Sequence, residues 1–268
     1  MDAFILAAGL GTRLRPLTDA LPKALVPVAG VPMLERVARR LIEAGADRLV
    51  VNVHHHAGQV VAFLEEQDGF GVPWAISPEI ERPLDTGGAL LQARDLLRRD
   101  VPFYLHNVDV IAGFPLADMY EAHRAADALA TVAVSGRASS RGLLFGPSGL
   151  CGRVDGTRTY EVRAQPASAA AANVEVRARP PAVDGVDGAD GVNGAGGLQG
   201  RFAFSGVHVI SPRILDRITE TGAFPVLDLY LRLVAVGERV AGYRIDGYPW
   251  FDIGSAEKLA AAEEALAG

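Results

Sequence analysis

The most informative stretch of the chain is Leu6-Ala7-Ala8-Gly9-Leu10-Gly11-Thr12-Arg13-Leu14-Arg15-Pro16, followed shortly by Pro22-Lys23-Ala24-Leu25. Residues 3–8 form a short apolar run, which is typical of a parallel strand covered on both faces. A loop of glycine and small residues after such a strand can direct several backbone N–H groups at an anion, because no Cβ atom keeps the ligand away. Arg13 adds a planar guanidinium and Lys23 a compact ammonium, and both suit phosphate oxygens. The stretch therefore predicts a strand followed by a phosphate-binding loop.

Two common phosphate-binding loops do not match this stretch. The Walker A motif requires Gly-Lys-Ser/Thr after four intervening residues, and Gly9 is not followed by that sequence. The dinucleotide-binding fingerprint requires a third Gly or Ala where Leu14 stands, and the next strand ends in Asn52-Val53-His54 rather than in a ribose-binding acid. The sequence therefore argues against a P-loop ATPase and against a dehydrogenase.

Strand-like apolar runs alternate with amphipathic helical segments after the loop. In the first half we expect strands at 49–53, 73–77 and 103–106, and helices from Pro32 to Gly45, at 59–66 and at 89–97. Beyond residue 127 we expect strands at 129–134, 202–210 and 240–245, and helices at 212–218, 226–236 and 256–266. Such alternation implies crossover connections and a mainly parallel sheet, which binds ligands at the carboxyl ends of its strands.

The composition limits the classes of protein to consider. Of 268 residues, 49% are hydrophobic and 22% are charged, so most of the chain can contribute to a packed core. The net charge of −6 argues against a nucleic-acid partner, and no apolar run is long enough for a membrane span. The single cysteine, Cys151, excludes an internal disulfide, and the start of the chain lacks the basic residues of a secretion signal. These features predict a cytoplasmic protein that contacts neither membrane nor nucleic acid.

One segment departs from this pattern. Residues 178–200 consist largely of Gly, Ala, Val, Asp and Asn, a composition that predicts a mobile surface insertion. Its Asp-Gly steps repeat every three residues rather than every nine, which does not favour a calcium-binding repeat.

Several motifs together resemble the sugar-1-phosphate nucleotidyltransferases, and most of all the branch of N-acetylmuramate-1-phosphate uridylyltransferases. Besides the loop and its lysine, these motifs are Asp85-Thr86-Gly87-Gly88, Asn107-Val108-Asp109, Phe204-Ser205-Gly206 and Trp250-Phe251-Asp252-Ile253-Gly254. The resemblance implies an α/β fold, namely a Rossmann-like three-layer αβα sandwich with a mixed, mainly parallel sheet. It implies one domain over 1–268, with a nucleotide-binding half (1–127) and a sugar-binding half (128–268). The implied reaction joins an NTP, by resemblance UTP, to a sugar 1-phosphate and releases pyrophosphate.

The resemblance also implies roles for particular residues. Arg13 and Lys23 would be the catalytic groups, acting on the triphosphate. The residues that would hold the nucleotide are Ala8, Gly9, Gly11, Thr12, Arg13, Lys23, Glu79, Gly87 and Gly88. The candidates for the sugar are Asn107, Arg141, Gly206 and Asp228, although Arg141 could equally be an exposed arginine and Asp228 a first-turn acid that the helix dipole favours.

Asp109 and Asp252 are the implied magnesium ligands. Each follows a short apolar or aromatic run, and carboxylate oxygens are the ligands that Mg²⁺ prefers, with phosphates and water completing the octahedron. The alternative is that each acid caps the helix behind it. Three consecutive histidines, His54 to His56, point in different directions in a strand or turn, so we expect loop or helix-start residues rather than a metal site.

Two other functions remain open at this stage. A glycosyltransferase would share the fold class, but it normally carries Asp-X-Asp where this chain has Asn107-Val108-Asp109. A silent regulatory homologue would be expected to lose the phosphate-binding or metal-binding residues, which this chain keeps. The expected partners are an NTP and a sugar 1-phosphate, in a monomer or small homo-oligomer.

Overall fold

The computed structural model describes residues 1–162, the strand at 175–177 and residues 198–267. The strands are β1 (Asp2–Leu6), β2 (Pro27–Val28), β3 (Val31–Pro32), β4 (Arg48–Val53), β5 (Trp74–Pro78), β6 (Phe103–Asn107), β7 (Val110–Ala112), β8 (Ala130–Ser135), β9 (Arg141–Gly146), β10 (Gly149–Asp155), β11 (Arg158–Glu161), β12 (Glu175–Arg177), β13 (Gly200–Ile210), β14 (Val240–Arg244) and β15 (Trp250–Asp252). The helices are α1 (Leu17–Ala20), α2 (Met33–Glu43), α3 (Ala57–Glu66), α4 (Asp85–Gln92), α5 (Leu116–Ala126), α6 (Val226–Ala235) and α7 (Ala256–Ala267). Except for its last three residues, the predicted insertion at 178–200 lies outside the described residues.

The central sheet is mixed and mainly parallel. Its strand order is β14-β8-β13-β6-β1-β4-β5. The neighbours β1–β4, β1–β6, β4–β5 and β8–β14 are parallel, whereas β13 runs antiparallel to both β6 and β8. Strands β9 to β12 extend this sheet as antiparallel neighbours, joined to it through β13. The predicted α/β class with a mixed, mainly parallel sheet is confirmed.

Helices cover both faces of the central sheet and form two cores. Alternate residues of β1 enter different cores: Ala3 and Ile5 pack with residues of α2, α3, α5 and α7, whereas Phe4 packs with residues of α4 and α6. This two-sided burial explains why β1 reads as a continuous apolar run. The arrangement is the three-layer αβα sandwich that the sequence predicted.

Some elements differ from the expectations. Helix α4 begins at Asp85 rather than at 89, so Asp85-Thr86-Gly87-Gly88 forms its first turn. Helix α5, the hairpin β9–β10 and the two-stranded ribbon of β7 with β15 were not expected. Among the described helices, none has the length and apolar character that a membrane crossing requires.

Candidate active site

A cavity of about 450 Å³ lies at the carboxyl ends of β1, β4 and β6. Most of the predicted nucleotide-binding residues line it. They are Ala8, Gly9, Gly11, Thr12, Arg13, Lys23 and Glu79. Asn52, Asp85, Thr86, Asn107, Asp109 and Gly254 complete most of the remaining wall. We call this space the first cavity.

The glycine-rich loop folds back on itself above this cavity. Gly11 has a φ of 64°, and a Cβ atom there would lie 2.8 Å from Thr18 Cγ2, so the position requires glycine. The Thr18 hydroxyl donates to the Gly11 carbonyl at 2.8 Å and fixes the turn. Within the described residues, the N–H groups of Gly9, Leu10 and Gly11 have no acceptor. These three donors are therefore free to bind an anion.

Asn52 joins the ends of three strands and was not predicted as a site residue. Its side chain is 2% exposed, and its Oδ1 accepts hydrogen bonds from the N–H groups of Ala7 (2.5 Å) and Ala8 (3.2 Å). Its Nδ2 donates to Glu79 Oε1 at 2.6 Å, and Glu79 Oε2 accepts from the Leu84 N–H at 2.7 Å. Glu79 is thus occupied in holding the cavity wall. The Ala8 N–H is likewise already bonded.

A second cavity, of about 550 Å³, adjoins the first. The residues common to both are Arg13, Asp85, Thr86, Asn107 and Asp109. The second cavity is enclosed by β9, β10, the middle of β13 and the start of α6. Arg13 stands at the junction, and its guanidinium has no ion-pair partner among the described residues. One guanidinium can therefore contact ligands in both spaces.

The β7–β15 ribbon brings the two predicted metal ligands together. Asp252 pairs with Val110, the residue after Asp109, and the Ile253 N–H donates to the Asp109 carbonyl at 3.0 Å. Both aspartates line the second cavity. This placement answers the helix-cap alternative for Asp109, since the residue precedes a strand rather than a helix.

Each of these carboxylates contacts one lysine. Lys23, only 8% exposed, donates to Asp109 Oδ2, and Lys258 donates to Asp252 Oδ2 at 2.6 Å. Burial tends to raise the pKa of Asp252, but the hydrogen bond and charge of Lys258, a bond from the Gly254 N–H and the charge of Lys23 leave the pKa below its ordinary value. Asp252 is therefore ionised at neutral pH.

Arginines form much of the wall of the second cavity. Arg153 forms an ion pair with Asp228 at 3.0 Å and lies over the Tyr160 ring, whereas the predicted Arg141 is largely exposed and forms an ion pair with Asp155 at 3.4 Å. Register places Arg141 opposite Asp155 and Arg153 opposite Leu143, so both arginines stand on one face of the β9–β10 hairpin. Asp228 is not part of the cavity wall, and its carboxylate forms an ion pair with Arg153, which is.

Arg137 is held more firmly than the other arginines of this wall. It donates to Ser135 Oγ (2.8 Å), Ser205 Oγ (3.1 Å) and the Phe204 carbonyl (2.5 Å). Its guanidinium carbon lies 3.8 Å from the centre of the Trp250 ring. Burial lowers the pKa of this guanidinium, yet three acceptors keep it oriented toward the cavity.

The structure explains the glycines at the predicted site positions differently from the sequence analysis. Gly87 and Gly88 do not line either cavity; both N–H groups donate to the Phe224 carbonyl, at 2.8 and 3.3 Å, and their α-carbons pack against residues 222–224. Gly206 does line the second cavity, but its φ of 79° and the approach of Val110 already require glycine. These glycines are therefore required for close packing against other parts of the chain, rather than for the close approach of a ligand.

The three consecutive histidines lie in a loop and at a helix start, as the sequence predicted. His54 follows β4, and His56 takes a left-handed conformation just before α3, so the three histidines form a loop and helix start. No cluster of three or more metal-binding side chains occurs within residues 1–162 and 198–267. Cys151 lies in β10 and donates to the Leu144 carbonyl.

The sequence reasoning missed Asn52, Arg137, Arg153 and Lys258. The sequence did contain a signal for Asn52, because this residue lies near the end of β4, where dinucleotide-binding folds carry a ligand-binding acid. Lys258 also had one: the chain has 26 lysine and arginine residues, and only Lys23 and Lys258 are lysines. Arg153 had none, because its role depends on a hairpin that the sequence did not predict, and Arg137 had none, because its partners Ser205, Phe204 and Trp250 are distant in the sequence.

Comparison with known proteins shows relatives that match about half of the chain. The chain is 39% identical over 137 residues to the mannose-1-phosphate guanyltransferase of Gibberella zeae, an alignment that covers 50% of this chain and 37% of that protein. It is 43% identical over 111 residues to the N-acetylmuramate alpha-1-phosphate uridylyltransferase of Caulobacter vibrioides, covering 41% of this chain and 46% of that protein. These alignments thus span less than half the length of either relative.

Solved structures match over almost the whole chain and show the fold. The UDP-glucose pyrophosphorylase from Acinetobacter baumanii has a TM-score of 0.71 at 19% identity and covers 99% of this chain and 92% of that chain. The inositol-1-phosphate CTP transferase from T. maritima has a TM-score of 0.68 at 16% identity, covering 99% and 94%. The family model described as nucleotidyl transferase matches residues 2–268. The resemblance noted in the sequence is thereby confirmed, and this chain belongs to the nucleotidyl transferase family.

Proposed function

We propose that this protein transfers a nucleoside monophosphate, preferably from UTP, to a sugar 1-phosphate and releases pyrophosphate. The observation that supports the proposal most directly is the pair of adjoining cavities that share Arg13, Asn107 and Asp109. A reaction between two phosphorylated substrates requires two such spaces that meet where the bond is formed.

The first cavity suits the nucleotide. Three free N–H groups of the loop, the Arg13 guanidinium and the Lys23 ammonium offer donors and positive charge to a triphosphate. The second cavity suits the sugar 1-phosphate, because Arg137 and Arg153 stand on its wall with guanidinium groups that hydrogen bonds or ring contacts hold in place.

The residues at and beside the junction fit a magnesium ion. Asp109, in the turn before β7, and Asp252, at the end of β15, supply two carboxylates, and the nearby Asn107 Oδ1 is buried with no hydrogen-bond partner among the described residues. Magnesium commonly takes one or two protein carboxylates and completes its octahedron with phosphates and water. When bound, the ion would neutralise charge on the phosphates.

The chemistry needs no protein nucleophile. A phosphate monoester has a second pKa of about 6, so a sugar 1-phosphate is mostly dianionic at neutral pH. One of its oxygens attacks the α-phosphorus of the NTP; the new P–O bond forms as the bond to the bridging α–β oxygen breaks, and that electron pair leaves on pyrophosphate. Arg13 and Lys23 orient the triphosphate and stabilise the charge that develops on the leaving group.

A pyrophosphate-release assay tests the proposal. Four NTPs are combined with several sugar 1-phosphates in the presence of Mg²⁺, and we expect pyrophosphate only when both substrates are present, fastest with UTP. Asp109→Ala is expected to abolish turnover while its circular dichroism spectrum stays that of the wild type. Release of free sugar or sugar transfer from an NDP-sugar, without pyrophosphate, would instead indicate a glycosyltransferase. Full activity of Asp109→Ala would exclude this residue from the site.

A further inference from the structure

The chain uses lysine very sparingly. Of its 26 lysine and arginine residues only Lys23 and Lys258 are lysines. Each of these two lysines forms an ion pair with one of the two predicted metal ligands, Lys23 with Asp109 and Lys258 with Asp252. Lys23 belongs to the motif that follows the glycine-rich loop. Lys258 belongs to no such motif, lies in the first turn of α7 and contributes to neither cavity wall.

The two ends of the Asp252 carboxylate are held differently. Oδ1 accepts from the Gly254 N–H at 2.7 Å, a backbone contact within one tight turn. Oδ2 accepts from Lys258 Nζ at 2.6 Å, and the Lys258 side chain is 50% exposed. The backbone contact therefore fixes the orientation of the carboxylate, while the contact with Lys258 can be exchanged.

A lysine suits such an exchangeable contact better than an arginine. An ammonium is a compact point charge that engages one oxygen, whereas a guanidinium fork tends to engage both oxygens of a carboxylate. Space at this point is also limited, because a Cβ atom on Gly254 would lie 2.9 Å from Arg13 Nη2. A second guanidinium at this point would bring another positive charge close to that of Arg13.

We propose that Lys258 is a positioning residue that occupies the outer oxygen of Asp252 until a divalent cation replaces it. The ammonium compensates the charge of Asp252 in the empty enzyme, and its departure opens Oδ2 to the metal. Lys258 thereby weakens binding of the free cation and reserves the site for a cation that arrives with the triphosphate. This inference rests on the proposed function, since it assumes that Asp252 is a metal ligand.

Binding of Mn²⁺ alone to the full chain, without nucleotide, tests the proposal. Free Mn²⁺ is measured by electron paramagnetic resonance for the wild type, Lys258→Met, Lys258→Arg and Asp252→Asn. Loss of an exposed competing charge is expected to tighten binding by about two- to five-fold in Lys258→Met. Lys258→Arg is expected to bind no more tightly than the wild type, and Asp252→Asn to lose the site.

Arg213→Met is the matched control. Arg213 forms an ion pair with Asp127 at 3.1 Å, its side chain is 44% exposed, and it lies outside both cavity walls. The variant removes the same charge at similar exposure, so its Mn²⁺ affinity is expected to equal that of the wild type. Equal tightening in Arg213→Met would assign the effect to net charge and overturn the proposal.

The remaining outcomes separate this proposal from the proposed function. If Asp252→Asn loses Mn²⁺ but Lys258→Met binds it as the wild type does, or more weakly, the role of Lys258 is wrong and the metal site stands. If the wild type and Asp252→Asn bind alike, the metal site and the role of Lys258 both fail. A measurement on the unmutated chain tests the proposal without any substitution. In NMR spectra of the ¹⁵N-lysine-labelled protein, saturating Mg²⁺ should shift the Nζ signal of Lys258, and an unchanged signal would contradict the proposal.

Discussion

Replacement of Asn52 by alanine should destabilise the protein and loosen the glycine-rich loop. The side chain makes three hydrogen bonds, to the N–H groups of Ala7 and Ala8 and to Glu79 Oε1, and the residue is 2% exposed. In Asn52→Ala two backbone donors and one buried carboxylate oxygen lose their partner. Each lost bond costs about 1 kcal/mol, and somewhat more for the charged acceptor.

The expected total is about 3 kcal/mol, because water in the neighbouring cavity can replace part of what is lost. For a chain of this size that corresponds to a fall in Tm of about 5 °C. Denaturation by urea, followed by circular dichroism, gives the free energy of unfolding. The KM for the NTP should rise as well, since the loop that we propose to bind it begins at the residues that Asn52 holds.

Ser77→Ala is the control for this prediction. Ser77 pairs with Asn52 across β4 and β5, it is equally buried, and its hydroxyl has no hydrogen-bond partner among the described residues. Its removal should change the free energy of unfolding by less than about 0.5 kcal/mol. If Asn52→Ala proves as stable as Ser77→Ala, the hydrogen bonds of Asn52 do not organise the site and the reasoning is wrong.

Three further perturbations follow from the same structure. Gly206→Ala should lower the free energy of unfolding by about 1–3 kcal/mol in urea denaturation, because φ at Gly206 is 79° and the new Cβ atom would lie 2.7 Å from Val110 Cγ2. Gly58 lies in a helix with open space around it, so Gly58→Ala should not destabilise the protein, and equal stability of the two variants would contradict this account. Arg153→Gln should raise the KM for the sugar 1-phosphate about 10-fold or more and leave that for the NTP unchanged, as steady-state kinetics with each substrate varied will show; an equal rise in both would disprove the assignment of the second cavity. Burial lowers the pKa of His106 and of His123 from 6.5 to about 4, and that of His208 to about 3. Below pH 6.5 the unfolded chain therefore binds more protons than the folded chain, and the free energy of unfolding should fall as the pH drops from 6.5 toward 4. In His208→Gln the slope of this fall should decrease by one proton, and an unchanged slope would refute the prediction.

The parallel half of the fold was predictable because its strands are buried on both faces. Apolar runs of this kind are distinct in a sequence, and the loop after β1 carries its own signature. The prediction was wrong at the end of that strand, which stops at Leu6 rather than at Ala8. The reason is tertiary: the N–H groups of Ala7 and Ala8 bond to a side chain 45 and 44 residues away instead of to a neighbouring strand.

The antiparallel hairpin β9–β10 could not be read from the sequence. It contains Gly142, Gly146, Gly149 and Gly152, which have low strand propensity, and a register shift interrupts its pairing. Much of the wall of the second cavity was therefore not predicted, and neither was the role of Arg153 in it. The first cavity was easier, because consecutive residues of one loop build most of it.

The two side-chain amines of this chain also have a practical consequence. Within this sequence, reagents that modify amines, such as succinimidyl esters, meet two lysine side chains, the buried Lys23 and the half-exposed Lys258. Covalent attachment of the protein to a sensor surface through amines would therefore act at the half-exposed Lys258, beside the cavities whose ligands are to be studied. Immobilisation through an added tag leaves Lys258 unmodified. A fluorophore placed deliberately on the Lys258 amine would report on ligands that bind in the neighbouring cavities.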